Sequence, residues 1–170
     1  ISERNEGNFK DAFITFSNNP QLQYLTGSLR DRLQQLRRAD WGMSTDLEAV
    51  FNLILNQAKI NNVPEDNMPT KILILSDMQF NQATRRDEFS AQSMIEAMYE
   101  EMGYTKPDII YWNLNAKGGN FPVEFDKNGT ALVSGFSPSI LKSILGGKDM
   151  TPESILMDTV NDERYSVVTV

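Results

Sequence analysis

Lys71 to Phe80, K-I-L-I-L-S-D-M-Q-F, constrains the fold of this chain more than any other stretch. Four consecutive apolar β-formers, Ile72 to Leu75, predict a strand buried on both faces, as in a parallel sheet. The strand breaks abruptly into Ser76-Asp77-Met78. An acid at the carboxyl end of a buried strand stands where open α/β sheets keep their ligands.

The flanking sequence supplies the elements such a sheet needs. Ile1 to Lys10 is polar and reads as the frayed end of a helix. Ala12 to Phe16 and Leu22 to Leu25 read as an edge hairpin around the turn cluster Ser17-Asn18-Asn19-Pro20. Gly27-Ser28 opens a helix with Leu29, Leu33 and Leu36 on its apolar face and Arg30, Arg32, Arg37 and Arg38 around it. These arginines read as a solvated face or as a local phosphate-binding patch. After the loop Asp40 to Ser44 comes the best-patterned helix, with Leu47, Val50, Phe51, Ile54, Leu55 and Ala58 on one stripe. Thr45-x-x-Glu48 reads as its capping box.

Beyond the Asp77 loop, Ala91, Met94, Ile95, Met98 and Met102 predict an amphipathic helix ended by Gly103. Its methionine stripe reads as core packing rather than a binding groove. Asp108 to Leu114 and Thr130 to Val133 are the next strands. Ser137-Pro138 starts a helix ended by Gly146-Gly147, and Thr151-Pro152-Glu153 starts the last one. Gly118-Gly119-Asn120 reads as a loop with no helix behind it, and so as no phosphate cradle.

Strands alternating with helices predict an α/β fold with a largely parallel sheet. Right-handed crossovers then gather the strand-to-helix loops at one edge. That edge is expected to hold Asp77, Asn113 and the Gly135-Phe136-Ser137 turn, with the Thr45 loop reaching it.

Composition narrows the chemistry. At 170 residues the chain fits a single domain, residues 1–170. A net charge of −7 argues against a broad nucleic-acid or anionic-membrane footprint. With no cysteine and no histidine there is no disulfide, no thiolate site, and neither the commonest general base nor the commonest transition-metal ligand. Any bound metal should be hard and oxygen-ligated: magnesium, manganese or calcium. No apolar run approaches the ~20 residues that span a bilayer, and the start lacks a signal-peptide core. A cytoplasmic location is expected. The start at Ile1 rather than methionine suggests a fragment or a processed product.

Thr45 and Asp77 stand out as a pair. A hydroxyl and a carboxylate from separate loops at one sheet edge can contribute to an oxygen-ligand set for a divalent cation. Thr45 is also a competent helix N-cap, and the two roles can coexist. Asp77 could equally cap or solvate a strand end. Two ligands do not hold a divalent ion, since magnesium takes six and calcium six to eight.

Several blocks resemble a family known only as a domain of unknown function and found in bacteria, viruses, fungi and plants. They are Asp40 to Leu55 (D-W-G-M-S-T-D-L-E-A-V-F-N-L-I-L), Ile74 to Phe80 (I-L-S-D-M-Q-F), Tyr111 to Leu114 (Y-W-N-L) and Leu132 to Ser137 (L-V-S-G-F-S). Phe13 to Ser17 and Glu3 to Gly7 are similar to it as well. The C-terminal half of that family is similar to the von Willebrand factor A domain, with the A-domain of the Ro ribonucleoprotein among its nearest relatives. The resemblance implies a three-layer Rossmann-like fold, a mostly parallel sheet with helices on both faces.

In A-domains a metal-ion-dependent adhesion site joins a D-x-S-x-S loop to a threonine and an aspartate from two further loops. By resemblance these two are Thr45 and Asp77, with Asn113, Phe136 and Ser137 on the partner-binding face. No D-x-S-x-S occurs in this chain. In the family that motif lies on the central strand, upstream of a helix end similar to Ile1 to Gly7. The domain is therefore expected to be N-terminally incomplete, lacking the first, central strand, with magnesium, manganese or calcium binding weak or absent.

A sheet ordered 3-2-1-4-5-6 that loses strand one leaves two edges open, on Ala12–Phe16 and Ile72–Leu75. Each unsatisfied buried backbone group costs ~1–3 kcal/mol. Three escapes are expected: direct pairing of those strands, a strand from another chain, or an upstream segment in the native protein.

These features predict a non-catalytic protein-interaction module. The alternative is a component of an RNA-associated, Ro-like particle, with the Arg30 to Arg38 helix as its only candidate RNA surface and the acidic balance against it. An enzyme is disfavoured, because no G-x-S-x-G, P-loop or G-x-G-x-x-G is present.

Overall fold

The computed structural model describes residues 2–5, 7–42, 44–76, 91–114 and 129–135, together with 153, 156–157, 160–161 and 163–165. Asp77, Phe136, Ser137, Gly118-Gly119-Asn120 and the Ser137-Pro138 helix lie outside the described residues.

Two sheets form. β1 (Ala12–Ile14) and β2 (Leu22–Tyr24) are an antiparallel hairpin with Phe13 opposite Gln23, as the turn cluster between them predicts. β3 (Lys71–Ser76), β4 (Asp108–Asn113) and β5 (Thr130–Ser134) form a parallel sheet in that order. Ile74, Tyr111 and Leu132 share one row across it. The architecture is α/β.

The α-helices α1 (Leu29–Arg38), α2 (Leu47–Ile60) and α3 (Ala91–Met102) accompany the sheets. All six residues of the predicted α2 stripe, Leu47, Val50, Phe51, Ile54, Leu55 and Ala58, are buried. They pack with Ile95 and Tyr99 of α3 and with Ile74, Ile109 and Tyr111 of the sheet. Tyr99 meets Phe51 edge-on, with ring centroids 6.2 Å apart. The predicted Met94, Met98 and Met102 fill the rim of this core. A smaller cluster around Ile110 and Trp112 lines the opposite face of the sheet.

Both core helices end in the same way. The Asn62 and Val63 amides donate to the Lys59 and Ala58 carbonyls, and those of Gly103 and Tyr104 donate to Glu100 and Tyr99. Asn62 and Gly103 take the left-handed conformation this cap requires, at φ 49° and 72°.

Two expectations need correction. Burial on both faces was expected of Ile72 to Leu75 in β3, but the strand that has it is β4, in which Ile109 to Asn113 are all buried. In β3 only Ile74 is buried and Leu75 is 50% exposed, because β3 pairs with β4 on one side alone among the described strands. Direct pairing of β1 with β3 does not occur either. The two strands belong to separate sheets, although Ile14 and Phe16 pack against the same core as Ile74. Among the described residues no six-stranded sheet is built, and no helix is long and apolar enough to cross a membrane.

Candidate functional site at the carboxyl edge

Each parallel strand ends on a small polar residue, and the register brings these ends together. Ser76 is paired with Asn113, and Asn113 with Ser134. Neighbouring strands lie about 4.8 Å apart, so the three form one continuous row. Strand alternation puts Asn113 on the same face as Ile109 and Tyr111, the face covered by α2 and α3. Asn113 is buried, Ser76 half-buried and Ser134 exposed. The backbone tightens the row: the Leu114 amide donates to the Ser76 carbonyl at 3.0 Å, and the Gly135 amide to the Asn113 carbonyl at 3.2 Å. On the other face the Trp112 indole N–H donates to the Gly135 carbonyl at 2.8 Å and holds the last turn of β5 in place.

α2 is anchored to the sheet at the edge opposite this row. The Tyr104 hydroxyl, just before β4, donates to the Val63 carbonyl just after α2, at 2.9 Å. The Thr105 amide donates to Glu65 Oε1 at 2.9 Å. The carboxyl end of α2 is thus tied to the amino edge of the sheet. Its 14 residues cover about 21 Å, close to the roughly 20 Å run of the six-residue β4. α2 and β4 are thus of matching length.

The cap of α2 differs from the expected one. Asp46, not Thr45, is the N-cap, and its Oδ1 accepts from the Ala49 amide at 3.0 Å. Both residues can cap, but a carboxylate also interacts favourably with the positive end of the helix dipole. Helix capping therefore does not account for Thr45. The loop before it runs close to the hairpin turn. A Cβ built on Gly42 would sit 2.8 Å from Ser17 Cα, closer than side chains tolerate, so glycine permits this approach.

Of the expected residues, Asn113 stands at the carboxyl edge and Thr45 directly precedes the N-cap of α2. Asp77 directly follows Ser76 in sequence but lies outside the described residues, as do Phe136 and Ser137. Ser76 and Ser134 were not singled out from sequence, although each ends a predicted strand in the way Asn113 does. Gln92 was missed as well. It lies in the first turn of α3, and both amide atoms are buried without a hydrogen-bond partner. Because α3 ends at Met102, two residues before Tyr104 at the amino edge, its first turn lies toward the carboxyl edge.

The chemistry of this edge is that of neutral oxygen and amide groups. Affinity for hard cations rises with the number of charged ligands. Among the described residues no group of three or more acidic side chains converges. Asp46, the carboxylate next to Thr45, is engaged in capping. These donors by themselves do not fit a divalent ion. Burial pushes the Tyr99 and Tyr111 hydroxyls above the usual tyrosine range, so neither is a base at neutral pH.

Comparison with known proteins gives the chain a family but no activity. It is 32% identical over 159 residues to the uncharacterized protein L728 of Acanthamoeba polyphaga mimivirus. That match covers 92% of this chain and 28% of the viral protein, so the chain spans little more than a quarter of its relative's length. No solved structure matches. Residues 1–168 match the domain of unknown function DUF7788, and the chain belongs to that family.

Proposed function

We propose that this domain is a non-catalytic protein-interaction module of von Willebrand factor A type, docking its partner through the carboxyl edge of the parallel sheet. The observation that carries this reading is the row Ser76, Asn113 and Ser134 at the carboxyl edge of the sheet, with Asp46 rather than Thr45 capping α2. In this reading Asp77, Phe136 and Ser137 extend the same face. Thr45 and Asp77 are two arms of a metal-ion-dependent adhesion site whose magnesium, manganese or calcium binding is weak, for want of acidic ligands. A cytoplasmic location belongs to the same proposal.

Site-specific photo-crosslinking tests the docking face. A photoreactive residue at exposed position 134 should give a discrete protein adduct in cell extract, and one at position 60, at the far end of α2, should not. Thr45→Ala should reduce the adduct. Equal labelling from both positions would contradict the assignment.

The second reading, an RNA-associated Ro-like component, is favoured only by the exposure of Arg30, Arg37 and Arg38 on α1. Salt-sensitive RNA retention on filters, lost when these arginines are replaced, would select it over the first.

A further inference from the structure

No residue of α1 belongs to either apolar cluster of the fold, and none of its residues is buried. Polar contacts hold the helix instead. Asp31 closes a capping box with Ser28, and Gln35 exchanges hydrogen bonds with Thr26. Arg32 donates to the Asp11 carboxylate at 2.6 Å and to the Gly27 carbonyl at 3.1 Å. With this polar side turned to the protein, the leucine stripe faces solvent: Leu29 is 73% and Leu33 52% exposed.

At 3.6 residues per turn, Leu33 and Leu36 fall within about 40° of Leu29, while Arg37 and Arg30 stand about 80–100° from it. An apolar strip and a basic strip therefore run side by side along α1. Trp41, 62% exposed, stands at the end of the helix, where its indole N–H donates to the Leu36 carbonyl at 2.7 Å. Its ring can leave water without stranding a donor. Arg30, Arg37 and Arg38 are exposed, and none of them forms an ion pair among the described residues. Asp31 is drawn into the cap, and exposed Asp40, just past the helix, offsets one of these three charges.

Charge and size decide what can cover such a face. A second copy, packed helix to helix about a two-fold axis, would set Arg30 against Arg37 of its partner, which like charges disfavour. Ten residues of helix present a face roughly 15 Å by 10 Å, about 150 Å² in outline, against the ~800 Å² per partner of a stable protein interface. A bilayer needs no matching shape. Leucine and tryptophan enter the headgroup–acyl boundary, and arginine beside them reaches back to the phosphates.

We infer that α1 is a surface anchor for an anionic membrane, with Leu29, Leu33, Leu36 and Trp41 entering the boundary and Arg30 and Arg37 meeting lipid phosphates. The helix lies on the bilayer and does not cross it, since a span needs ~20 residues and α1 has ten. The net charge of −7 does not oppose this contact, because charges farther from the membrane than a Debye length of ~8 Å are largely screened. The inference is independent of the carboxyl-edge reading.

Vesicles of equimolar phosphatidylcholine and phosphatidylserine, mixed with the full chain, test it. The chain has two tryptophans and Trp112 is buried, so a blue shift of the emission and its quenching by brominated lipid report Trp41. The expected association is reversible and weaker than that of one myristoyl chain, so half of the protein binds only above about 0.1 mM lipid. Added salt should weaken it. Leu33→Glu, at an exposed position, should abolish the shift and leave the circular dichroism spectrum unchanged. Arg30→Gln with Arg37→Gln should weaken binding about 25-fold, at about fivefold per charge. No shift at millimolar lipid, or a shift indifferent to Leu33→Glu, would overturn the inference. Equal binding to phosphatidylcholine alone would overturn the assignment to an anionic surface. Self-association without lipid that Leu33→Glu abolishes would give the stripe to a second copy and overturn it as well. So would a discrete protein adduct, from a photoreactive residue at position 33 in cell extract, that the vesicles fail to compete away.

Discussion

Asp46, Thr45 and Glu48 separate capping from site formation within four residues. Asp46→Ala should cost about 1 kcal/mol in denaturant unfolding, the usual loss for a removed N-cap. Glu48→Ala should change stability by less than about 0.5 kcal/mol, because the capping box expected from Thr45-x-x-Glu48 is not the one that forms. Sequence could not choose between adjacent capping residues, since the choice depends on where the loop delivers the chain. Gln92 makes a different prediction. Its amide is buried without partners, which costs about 1–3 kcal/mol. Gln92→Leu should therefore raise stability or leave it unchanged, and a loss above about 1 kcal/mol in urea unfolding would show that the amide is satisfied. Tyr99 and Tyr111 set an alkaline limit. Burial raises both hydroxyls in the folded state, so their stabilisation is complete below the unfolded tyrosine pKa of about 10 and is lost as pH rises beyond it. In a spectroscopic titration these two phenols should ionise only as the protein unfolds.

Among the elements, α2 was the most legible and α1 the least. The stripe Leu47 to Ala58 repeats with helical period, and that period alone selects its buried face. Phe51→Ala should cost about 3–5 kcal/mol, since Phe51 is fully buried against Tyr99. For α1 the sequence shows a helix and an apolar stripe but not the direction in which the stripe faces. That direction is set by contacts such as Arg32 to Asp11, 21 residues apart, which no local pattern encodes. The Arg32 hydrogen bond also holds the Asp11 carboxyl below the usual carboxylate range. The resulting stabilisation is present above the unfolded pKa of about 3.9 and is lost as pH falls through the lower folded value. Exchange of the Leu25 amide, which donates to the Asp11 carbonyl, should accelerate in that acidic window. In Arg32→Gln this acid-dependent acceleration should shrink, because the folded carboxyl then titrates closer to its unfolded value.

For the whole molecule, a parallel α/β sheet was legible because strand patterns alternate with helix patterns and parallel neighbours need crossovers, whereas those local signals do not encode the order β3-β4-β5. The polar row at their ends was half legible. Each residue is visible as a strand terminus, but only the register shows that Ser76, Asn113 and Ser134 stand abreast. The separation of β1 from β3 into two sheets sharing one core was foreseen as open edges, not as a geometry. The central claim is a carboxyl-edge interaction face whose cation site is incomplete: oxygens from Thr45 and the row, with too few carboxylates to hold a divalent ion. Calorimetric titration of magnesium and manganese into the wild type and Asp77→Ala tests it most directly. The account predicts no micromolar binding to either protein. Micromolar binding to the wild type, abolished by Asp77→Ala, would contradict it.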